Sequence, residues 1–366
     1  MRQKVKSSHA IQAIAYFQKK REDGFRADHC FVLPWAERGN LWDFWADGRT
    51  SPGTEWRFLV WVFRQLSGLT EAVAEMHGLE GENLRHGDLK PENVLCFRDD
   101  SQSAITPIRL VLTDVGLAKA HEKATDQRKQ QRDITSTSVS TVRYQAPELE
   151  TQSNETRILS QDFDVWSLGC IYMEFVIWLL YGLDGLVRFT AETEQFWQPT
   201  GEEGLRGAKV HERVDVWLSH MANWDSNRPT DIALERLVGL IKRNLLVVGV
   251  ESLERGEDQS APPAAPKPSK SSIGGRIMRH FSGKKAGGGG GIPGKATIVP
   301  GSTAPYRSSS KEAATRLREI TSALSAVEIE SSGEGAGREK ERRPPPPQPT
   351  SGGAMATKKK RWRPIR

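Results

Sequence analysis

Apolar residues recur at three- and four-residue steps between residues 55 and 76, which is typical of a helix with one buried stripe. The preceding Thr54 has a side chain suited to an N-cap, so the helix is predicted to begin there. Burying the stripe would make this helix part of the scaffold. The stripe consists of Trp56, Leu59, Val60, Phe63, Leu66, Leu69, Val73 and Met76.

The most apolar stretch of the chain spans residues 164–181. Its length nearly suffices for a membrane span, and an all-round apolar helix is equally typical of the centre of a large core. Asp164 lies at one end, Glu174 lies near the middle, and Gly169 interrupts the apolar run. These residues favour a buried core helix over a membrane-spanning one.

Shorter apolar runs predict strands. Residues 9–20 and 28–36 flank Gly24 and polar residues, which predicts an antiparallel hairpin. Residues 94–97 and 108–113 predict a second strand pair around a polar turn. Further helices are predicted over 210–222 and 230–248, the last with a leucine-rich stripe.

The composition changes after residue 250. Proline clusters and five consecutive glycines at 287–291 are incompatible with a packed core, so residues 250–366 are predicted to be a disordered basic tail. Within this tail, residues 311–329 have apolar positions at helical spacing. A transient helix and a partner-binding element are both compatible with that spacing, and solvated disorder is favoured.

The net charge of +6 is unevenly distributed. Residues 1–250 contain 30 lysines and arginines against 35 acidic residues, whereas residues 251–366 contain 22 against 11. The first part is therefore a mildly acidic globule, and the tail carries the basic charge. The basic run at 358–363 suits a nuclear import receptor or weak contact with an anionic surface, although an inert solvated end is equally compatible.

The three cysteines, Cys30, Cys96 and Cys170, are widely spaced and odd in number. They indicate a reducing compartment and predict neither a disulfide framework nor a cysteine metal site. No apolar stretch follows the charged start of the chain, so no signal peptide is expected. Together with the favoured core helix, this predicts a cytoplasmic or nuclear protein that makes no membrane contact.

Three short motifs occur in a fixed order. The stretch from His86 to Asn93 (His-Gly-Asp-Leu-Lys-Pro-Glu-Asn) places a carboxylate, a cation and an amide within six residues. Asp114-Val115-Gly116 follows the second strand pair, and Tyr144-Gln145-Ala146-Pro147-Glu148 follows a Ser/Thr-rich loop. In this order and spacing the motifs resemble those of eukaryotic protein kinases of the Ser/Thr type. The details are most similar to kinase-domain proteins of filamentous fungi.

The resemblance implies an α+β protein-kinase-like fold. Its mainly helical C-lobe would span 37–249, and a partial N-lobe of about two strands with the hinge would span 1–36. The helix that begins with Asp164 would be the central helix of the C-lobe. An arginine would pair with Glu148, and both Arg228 and Arg236 are candidates.

The resemblance also implies roles for the site residues. Asp88 would accept the proton of a substrate hydroxyl, Lys90 would stabilise the transferring phosphoryl group, and Thr141 would shape the substrate site. Asn93 and Asp114 would hold Mg²⁺. The expected cofactors are ATP and Mg²⁺, and the expected partners are protein substrates. The adenine pocket would be formed by Leu33, Pro34, Trp35, Ala36 and Leu95.

The chain departs from the family pattern in three places. Gly87 replaces the arginine that grips a phosphorylated activation loop, so activation by that electrostatic route is not expected. Val115 replaces a phenylalanine. The eight residues before His9 contain no glycine, and neither Lys4 nor Lys6 is in register for the lysine that fixes the α- and β-phosphates.

Two functions follow from these features. One is a Ser/Thr protein kinase that transfers the γ-phosphoryl group of ATP to protein hydroxyls, with a start that this sequence lacks. The other is a catalytically inactive, pseudokinase-like binding or scaffold module. The sequence does not show the glycine-rich loop and the lysine that would hold the phosphates. The loss of one preorganised charge contact commonly costs about 10²–10³-fold in rate, so the activity of this chain is the open question.

Overall fold

The structure of the protein is a computed structural model. It describes residues 5–20, 27–48, 53–79, 84–99, 106–114, 142–151, 160–200, 207–222, 228–248, 306–331 and 345–348. Structural statements below refer to these residues.

Seven α-helices and six β-strands make up the described chain. The helices are α1 (Leu41–Ala46), α2 (Trp56–His77), α3 (Glu148–Thr151), α4 (Asp162–Glu192), α5 (Glu212–Ala222), α6 (Pro229–Leu240) and α7 (Ser310–Ser331). The strands are β1 (Ala15–Lys20), β2 (Ala27–Val32), β3 (Val94–Arg98), β4 (Ile108–Leu112), β5 (Trp197–Thr200) and β6 (Gly207–Val210). Consecutive strands pair as three antiparallel two-stranded sheets, so the predicted α+β class is confirmed.

The helix predicted over 55–76 is α2, and its apolar face lies in the core. The predicted cap is wrong. The N-cap residue is Glu55, whose carbonyl accepts the first helical hydrogen bond from Leu59 N at 3.0 Å, and no side chain caps the helix. Thr54 lies one residue earlier and is itself buried, so the helix starts one residue later than its sequence signal.

Helix α4 forms the centre of the core. Every residue from 163 to 180 is buried, which confirms the predicted core helix. The helix breaks at Gly182, whose φ of 68° is left-handed, and then continues to Glu192. In length and composition α4 would suffice to cross a membrane, but most of its apolar window is enclosed by neighbouring elements of the described structure.

The N-terminal hairpin is shorter than predicted. β1 and β2 pair with Tyr16 opposite Phe31, and both aromatic side chains are exposed. The residues before β1 pack on the helical body instead, where Ala10 bridges Leu112 and His9 Nδ1 lies 2.7 Å from Leu110 O. An isolated two-stranded hairpin is marginally stable at best, so the packed N-terminal segment provides its attachment to the core.

The tail prediction is wrong for residues 306–331. Residues 310–331 form α7, which packs along α2 and α6 and buries Leu317 and Leu324. Polar contacts fix its register on α2, since Trp56 Nε1 donates to Leu324 O at 3.1 Å and Ser67 Oγ lies 2.9 Å from Thr321 Oγ1. A helix of this length is marginal alone in water, so its order depends on the apolar surface that α2 offers.

The chain returns to α7 close to where it left the helical body. Ser308 N donates to Asn244 O at 2.8 Å, and Arg307 Nε donates to Val247 O at 2.9 Å. Arg316 on α7 also reaches Asn244 Oδ1. We call these contacts the return clamp. The segment between residues 249 and 305 therefore begins and ends at neighbouring points of the fold.

We expect Leu317→Ala to destabilise the whole protein, because this side chain is fully buried against the core. A buried leucine truncated to alanine typically costs about 2–5 kcal/mol. Urea unfolding followed by tryptophan fluorescence measures the change. Glu319→Ala, an exposed change on the same helix, serves as the control and should shift stability by less than about 0.5 kcal/mol. An unchanged midpoint for Leu317→Ala would show that α7 is not part of the folding unit.

Candidate active site

The loop from His86 to Asn93 connects α2 to β3 and brings three polar side chains together. Lys90 Nζ lies 3.0 Å from Asp88 Oδ2. The lysine is buried, whereas the Asp88 side chain retains 38% of its exposure. The carboxylate is thus held by a desolvated cation on one side and remains accessible on the other.

Asn93 fixes the same carboxylate from a short helical turn that ends the loop. Its Nδ2 donates to Asp88 O at 2.7 Å and to Asp88 Oδ2 at 2.9 Å. Because the amide nitrogen is used in this way, the amide oxygen is the atom left to accept or ligate. Among the described residues, Asp88 Oδ1 accepts no hydrogen bond, so it is the carboxylate atom presented to a ligand.

The β3–β4 pair brings Asp114 to the same place. Thr113 N donates to Asn93 O at 3.0 Å, and Asp114 is the next residue. Its φ of 61° lies in the left-handed region, where a residue other than glycine costs about 1–2 kcal/mol. Such conformations concentrate at functional sites. The hydrogen bond from Thr113 to Asn93 makes Asn93 and Asp114 neighbours, as the predicted strand pair implies.

These two residues suit a hard divalent cation. An amide oxygen and a carboxylate are the ligand types that Mg²⁺ takes, commonly with one or two protein carboxylates and the remaining positions filled by phosphates and water. Within the described ranges, no group of three or more His, Cys, Asp or Glu residues gathers around one point as a metal cage. The donor set fits an ion shared with a phosphate ligand.

Asp164, at the start of α4, supports the loop from beneath. The carboxylate is 1% exposed, and it accepts hydrogen bonds from His86 N at 2.6 Å and from Gly87 N at 2.8 Å. His77 Nε2 lies 2.8 Å from the same carboxylate. Burial alone would raise the pKa of Asp164, but the His77 and backbone hydrogen bonds hold it below its ordinary value.

His86 and His77 extend this support. His86 Nε2 reaches Thr113 O at 2.7 Å and so connects the loop to the end of β4. His77 Nδ1 lies 2.9 Å from Ser310 Oγ at the start of α7. The sequence alone predicts no role for these histidines or for the Asp164 carboxylate. The only sequence feature that could have indicated these roles is position, because His86 is the first residue of the loop motif and Asp164 is the first residue of the apolar stretch.

Residues just after the Ser/Thr-rich loop are anchored on α4. Tyr144 OH donates to Glu174 Oε2 at 2.8 Å, and Arg143 Nε donates to Glu174 Oε1 at 3.0 Å. Burial opposes the charge on Arg143, but the Glu174 carboxylate raises the pKa of this arginine above its usual value. The ion pair fixes the chain four residues before Pro147. Thr141 and residues 115–140 lie outside the described residues.

Among the described residues, Glu148 pairs with Arg307. Arg307 Nη2 lies 2.7 Å from Glu148 Oε1, and the guanidinium stacks 5.0 Å above the Trp166 ring. The predicted pairing with Arg228 is wrong, because Arg228 binds Asp231 within its own helical turn at 2.8 Å. The correct arginine was overlooked since it lies in the segment predicted to be disordered.

Few contacts of the described structure join the residues of the predicted adenine pocket. Leu95 lies on β3 beside Asn40, just past the segment 33–36. Cys96 N donates to Gly39 O at 2.8 Å, so the residues that follow the segment 33–36 are tied to β3. Leu33 is 43% exposed and Trp35 is 84% exposed. The roles of Leu33, Pro34, Trp35, Ala36 and Leu95 in binding adenine stay predictions.

A family model described as "Protein kinase domain" matches residues 1–197, which is more than half of the chain. This chain belongs to the protein kinase family. The predicted resemblance is therefore confirmed. The family generally uses ATP and Mg²⁺.

Curated relatives are Ser/Thr kinases at low identity. Human 3-phosphoinositide-dependent protein kinase 1 is 33% identical over 106 residues, covering 29% of this chain and 16% of the relative. Serine/threonine-protein kinase chk-2 of Caenorhabditis elegans is 29% identical over 175 residues, covering 45% and 31%. Mouse homeodomain-interacting protein kinase 2 is 30% identical over 176 residues, covering 47% and 12%. The chain thus spans less than a third of the length of these relatives.

We expect Asp164→Asn to destabilise the kinase fold by about 1.5–3 kcal/mol at pH 7, because it weakens the hydrogen bonds that the buried carboxylate makes with His77 and with the backbone of His86 and Gly87. Since the folded pKa of Asp164 is depressed, its stabilisation is present above the ordinary carboxyl pKa of about 3.9 and is lost as pH falls through the folded pKa. The difference in the free energy of unfolding between wild type and variant should therefore become smaller in acid. Urea melts at several pH values measure it.

Asp162→Asn is the matched control, since Asp162 is exposed in the same first turn of α4. It should leave the midpoint nearly unchanged at every pH. A constant difference between wild type and Asp164→Asn down to pH 3 would contradict the assigned charge state.

Proposed function

We propose that this protein is a Ser/Thr protein kinase, which transfers the γ-phosphoryl group of ATP to hydroxyl groups of protein substrates. The observation that carries the proposal is the arrangement of Asp88, Lys90 and Asn93, with Asp114 beside Asn93. Phosphoryl transfer requires mainly positioning and charge stabilisation, and this group of residues offers both. The Ser/Thr type of the matched relatives supports the same reaction class.

Asp88 acts on the substrate hydroxyl in this proposal. Its Oδ2 is held by Lys90 and Asn93, so Oδ1 orients the hydroxyl and accepts its proton as the oxygen attacks. A positioned general base commonly contributes about 10²–10⁴-fold to rate. The backbone beneath Asp88 is fixed by Asp164, which keeps the base in place before substrate binds.

Lys90 and the metal ligands act on the phosphoryl group. The Lys90 ammonium is close enough to Asp88 to neutralise charge that develops on a phosphoryl group transferred to that hydroxyl. Asn93 and Asp114 would hold Mg²⁺ through oxygen atoms. When bound, Mg²⁺ neutralises phosphate charge and aligns the phosphates. Leu95 and the segment 33–36 would enclose adenine, and Thr141 would shape the substrate site.

A catalytically inactive binding module is the second candidate. Two observations on the nucleotide side of the site favour it. The hairpin β1–β2 exposes Tyr16, Phe17 and Phe31, and Trp35 is 84% exposed. Lys6 belongs to the segment that packs on α2, because its backbone N donates to Glu75 Oε1 at 2.7 Å. Lys6 is therefore attached to the helical body and lies outside the hairpin β1–β2.

The proposal also includes the partners and the location of the protein. The partners are protein substrates and, for the basic end, a weak anionic partner or an import receptor. The location is cytoplasmic or nuclear. These parts of the proposal follow from the reaction class and from the charge of residues 358–363.

We expect Mg²⁺–ATP to raise the melting temperature of the purified chain, and Asp114→Ala to abolish that rise because it removes a metal ligand. Differential scanning fluorimetry with ATP, with and without Mg²⁺, measures both effects. Asp184→Ala is the control, since Asp184 is exposed on α4. The absence of any nucleotide shift in the wild-type chain would favour the binding module.

We expect Asp88→Asn to lower phosphate incorporation into a generic Ser/Thr protein substrate by at least about 10²-fold, since it removes the base. The Mg²⁺–ATP melting shift should survive, because Asp88 is not a metal ligand. Radiolabelled phosphate transfer measures the rate, with Asp184→Asn as the matched substitution. Equal activity of wild type and Asp88→Asn would reject the assigned base. A wild-type chain that binds nucleotide without transfer would leave only the binding module.

A further inference from the structure

A short proline-rich segment of the chain is seated on α4 and α5. Pro345–Gln348 comes from the run of four prolines at 344–347. Arg188 Nη2 donates to Pro347 O, His220 Nε2 lies 2.6 Å from Pro345 O, and Arg213 Nη2 lies 3.5 Å from Gln348 O. Three basic side chains thus meet backbone carbonyls of one extended segment. We call Arg188, Arg213 and His220 the basic face.

Glu192 holds the basic face in position. It accepts from Arg188 Nε at 3.0 Å, from Arg213 Nη2 at 2.6 Å and from Trp217 Nε1 at 2.9 Å. Burial works against its charge, but these hydrogen bonds leave the pKa of Glu192 below its ordinary value. Arg188 also lies 5.8 Å over the Trp217 ring. Both guanidinium groups are therefore oriented by side chains other than their proline-rich ligand.

The chemistry of the basic face matches a proline-rich segment. Proline has no backbone N–H, and in the polyproline II helix the carbonyls make no internal hydrogen bonds. Such a segment is read by side-chain donors and by a pocket for its rings. The basic face supplies the donors, and Pro347 is buried in the described structure.

Charge argues against an anionic ligand here. The Glu192 carboxylate is shared by both arginines, so it neutralises part of their charge where a phosphate or carboxylate would bind. A neutral carbonyl needs only the remaining N–H donors. We propose that the basic face is a binding surface for proline-rich segments and that Pro345–Gln348 occupies it in cis.

Tethering makes the chain's own segment a strong competitor. α7 packs on the core up to Leu324, and its last residue is separated from the proline segment by residues 332–344. Joining a ligand to its binding surface through a short length of chain gives effective concentrations on the order of millimolar. A proline-rich ligand of another protein would therefore gain access mainly when the cis segment is displaced.

A peptide-binding experiment on the full-length chain tests this proposal independently of kinase activity. The probe is a fluorescent peptide with the sequence of residues 341–350, and fluorescence anisotropy measures its affinity. The proteins are wild type, a tail variant (Pro345→Ser, Pro346→Ser and Pro347→Ser), and the tail variant with Arg188→Ala and His220→Ala. Because the cis segment no longer competes, the tail variant should bind the peptide at least about tenfold more tightly than wild type.

Removing donors of the basic face should then weaken peptide binding by about tenfold or more, since both carbonyl contacts are lost and the one from the Arg188 guanidinium is charge-assisted. The tail variant with His220→Ala alone should show a smaller loss in the same direction, which guards against misfolding of the multiple variant. Arg318→Ala in the tail variant is the control, because Arg318 pairs with Glu71 on another face. It should leave affinity unchanged.

Two results would overturn the proposal. One is equal peptide affinity of wild type and tail variant. The other is equal binding of a control peptide that keeps both arginines of the probe but carries serine in place of its prolines, since that would show that binding does not depend on proline.

Discussion

A single buried carboxylate organises the site and much of the fold around it. Asp164 starts the central helix, and its carboxylate receives hydrogen bonds from the backbone of the catalytic loop and from His77 at the end of α2. A charge at this depth is tolerated only when it is fully paired, so the loop and α2 cannot move away from α4 independently. Through His77 the same network reaches Ser310, where α7 begins. Catalytic geometry and global packing therefore share one electrostatic centre.

The proposed site has a side for phosphoryl transfer and a side for the nucleotide, and the two differ in how many contacts hold them in place. The transfer side is fixed by contacts among Asp88, Lys90 and Asn93 and by the strand pairing that brings Asp114 alongside. The nucleotide side consists of an exposed hairpin and a segment whose Trp35 is largely in solvent. Kinase chemistry needs both sides, because the phosphates must be held while the hydroxyl attacks. The family match establishes that this chain belongs to the protein kinases. Its activity depends on how the nucleotide is held.

Local patterns predicted the features that are themselves local. The stripe of α2, the apolar run of α4 and the strand pair around Asn93 and Asp114 all depend on residues close in sequence, and each was found where expected. The errors have a common cause. Residues 310–331 become a packed helix only because α2 covers them, and the partner of Glu148 lies 159 residues further along the chain. No periodicity within a segment indicates which distant surface will bury it.

The return clamp has a consequence for the stability of this protein. Asn244 and Ser308 hold the ends of the intervening segment together, as the ends of a short turn would be held. The entropic cost of closing a flexible loop grows only with the logarithm of its length, so each doubling costs about 0.6 kcal/mol. A change in the number of residues between two such anchors therefore costs little in closure entropy. The contacts that Asn244, Val247, Arg307 and Ser308 make at the closing point matter more to stability than the length of chain between them.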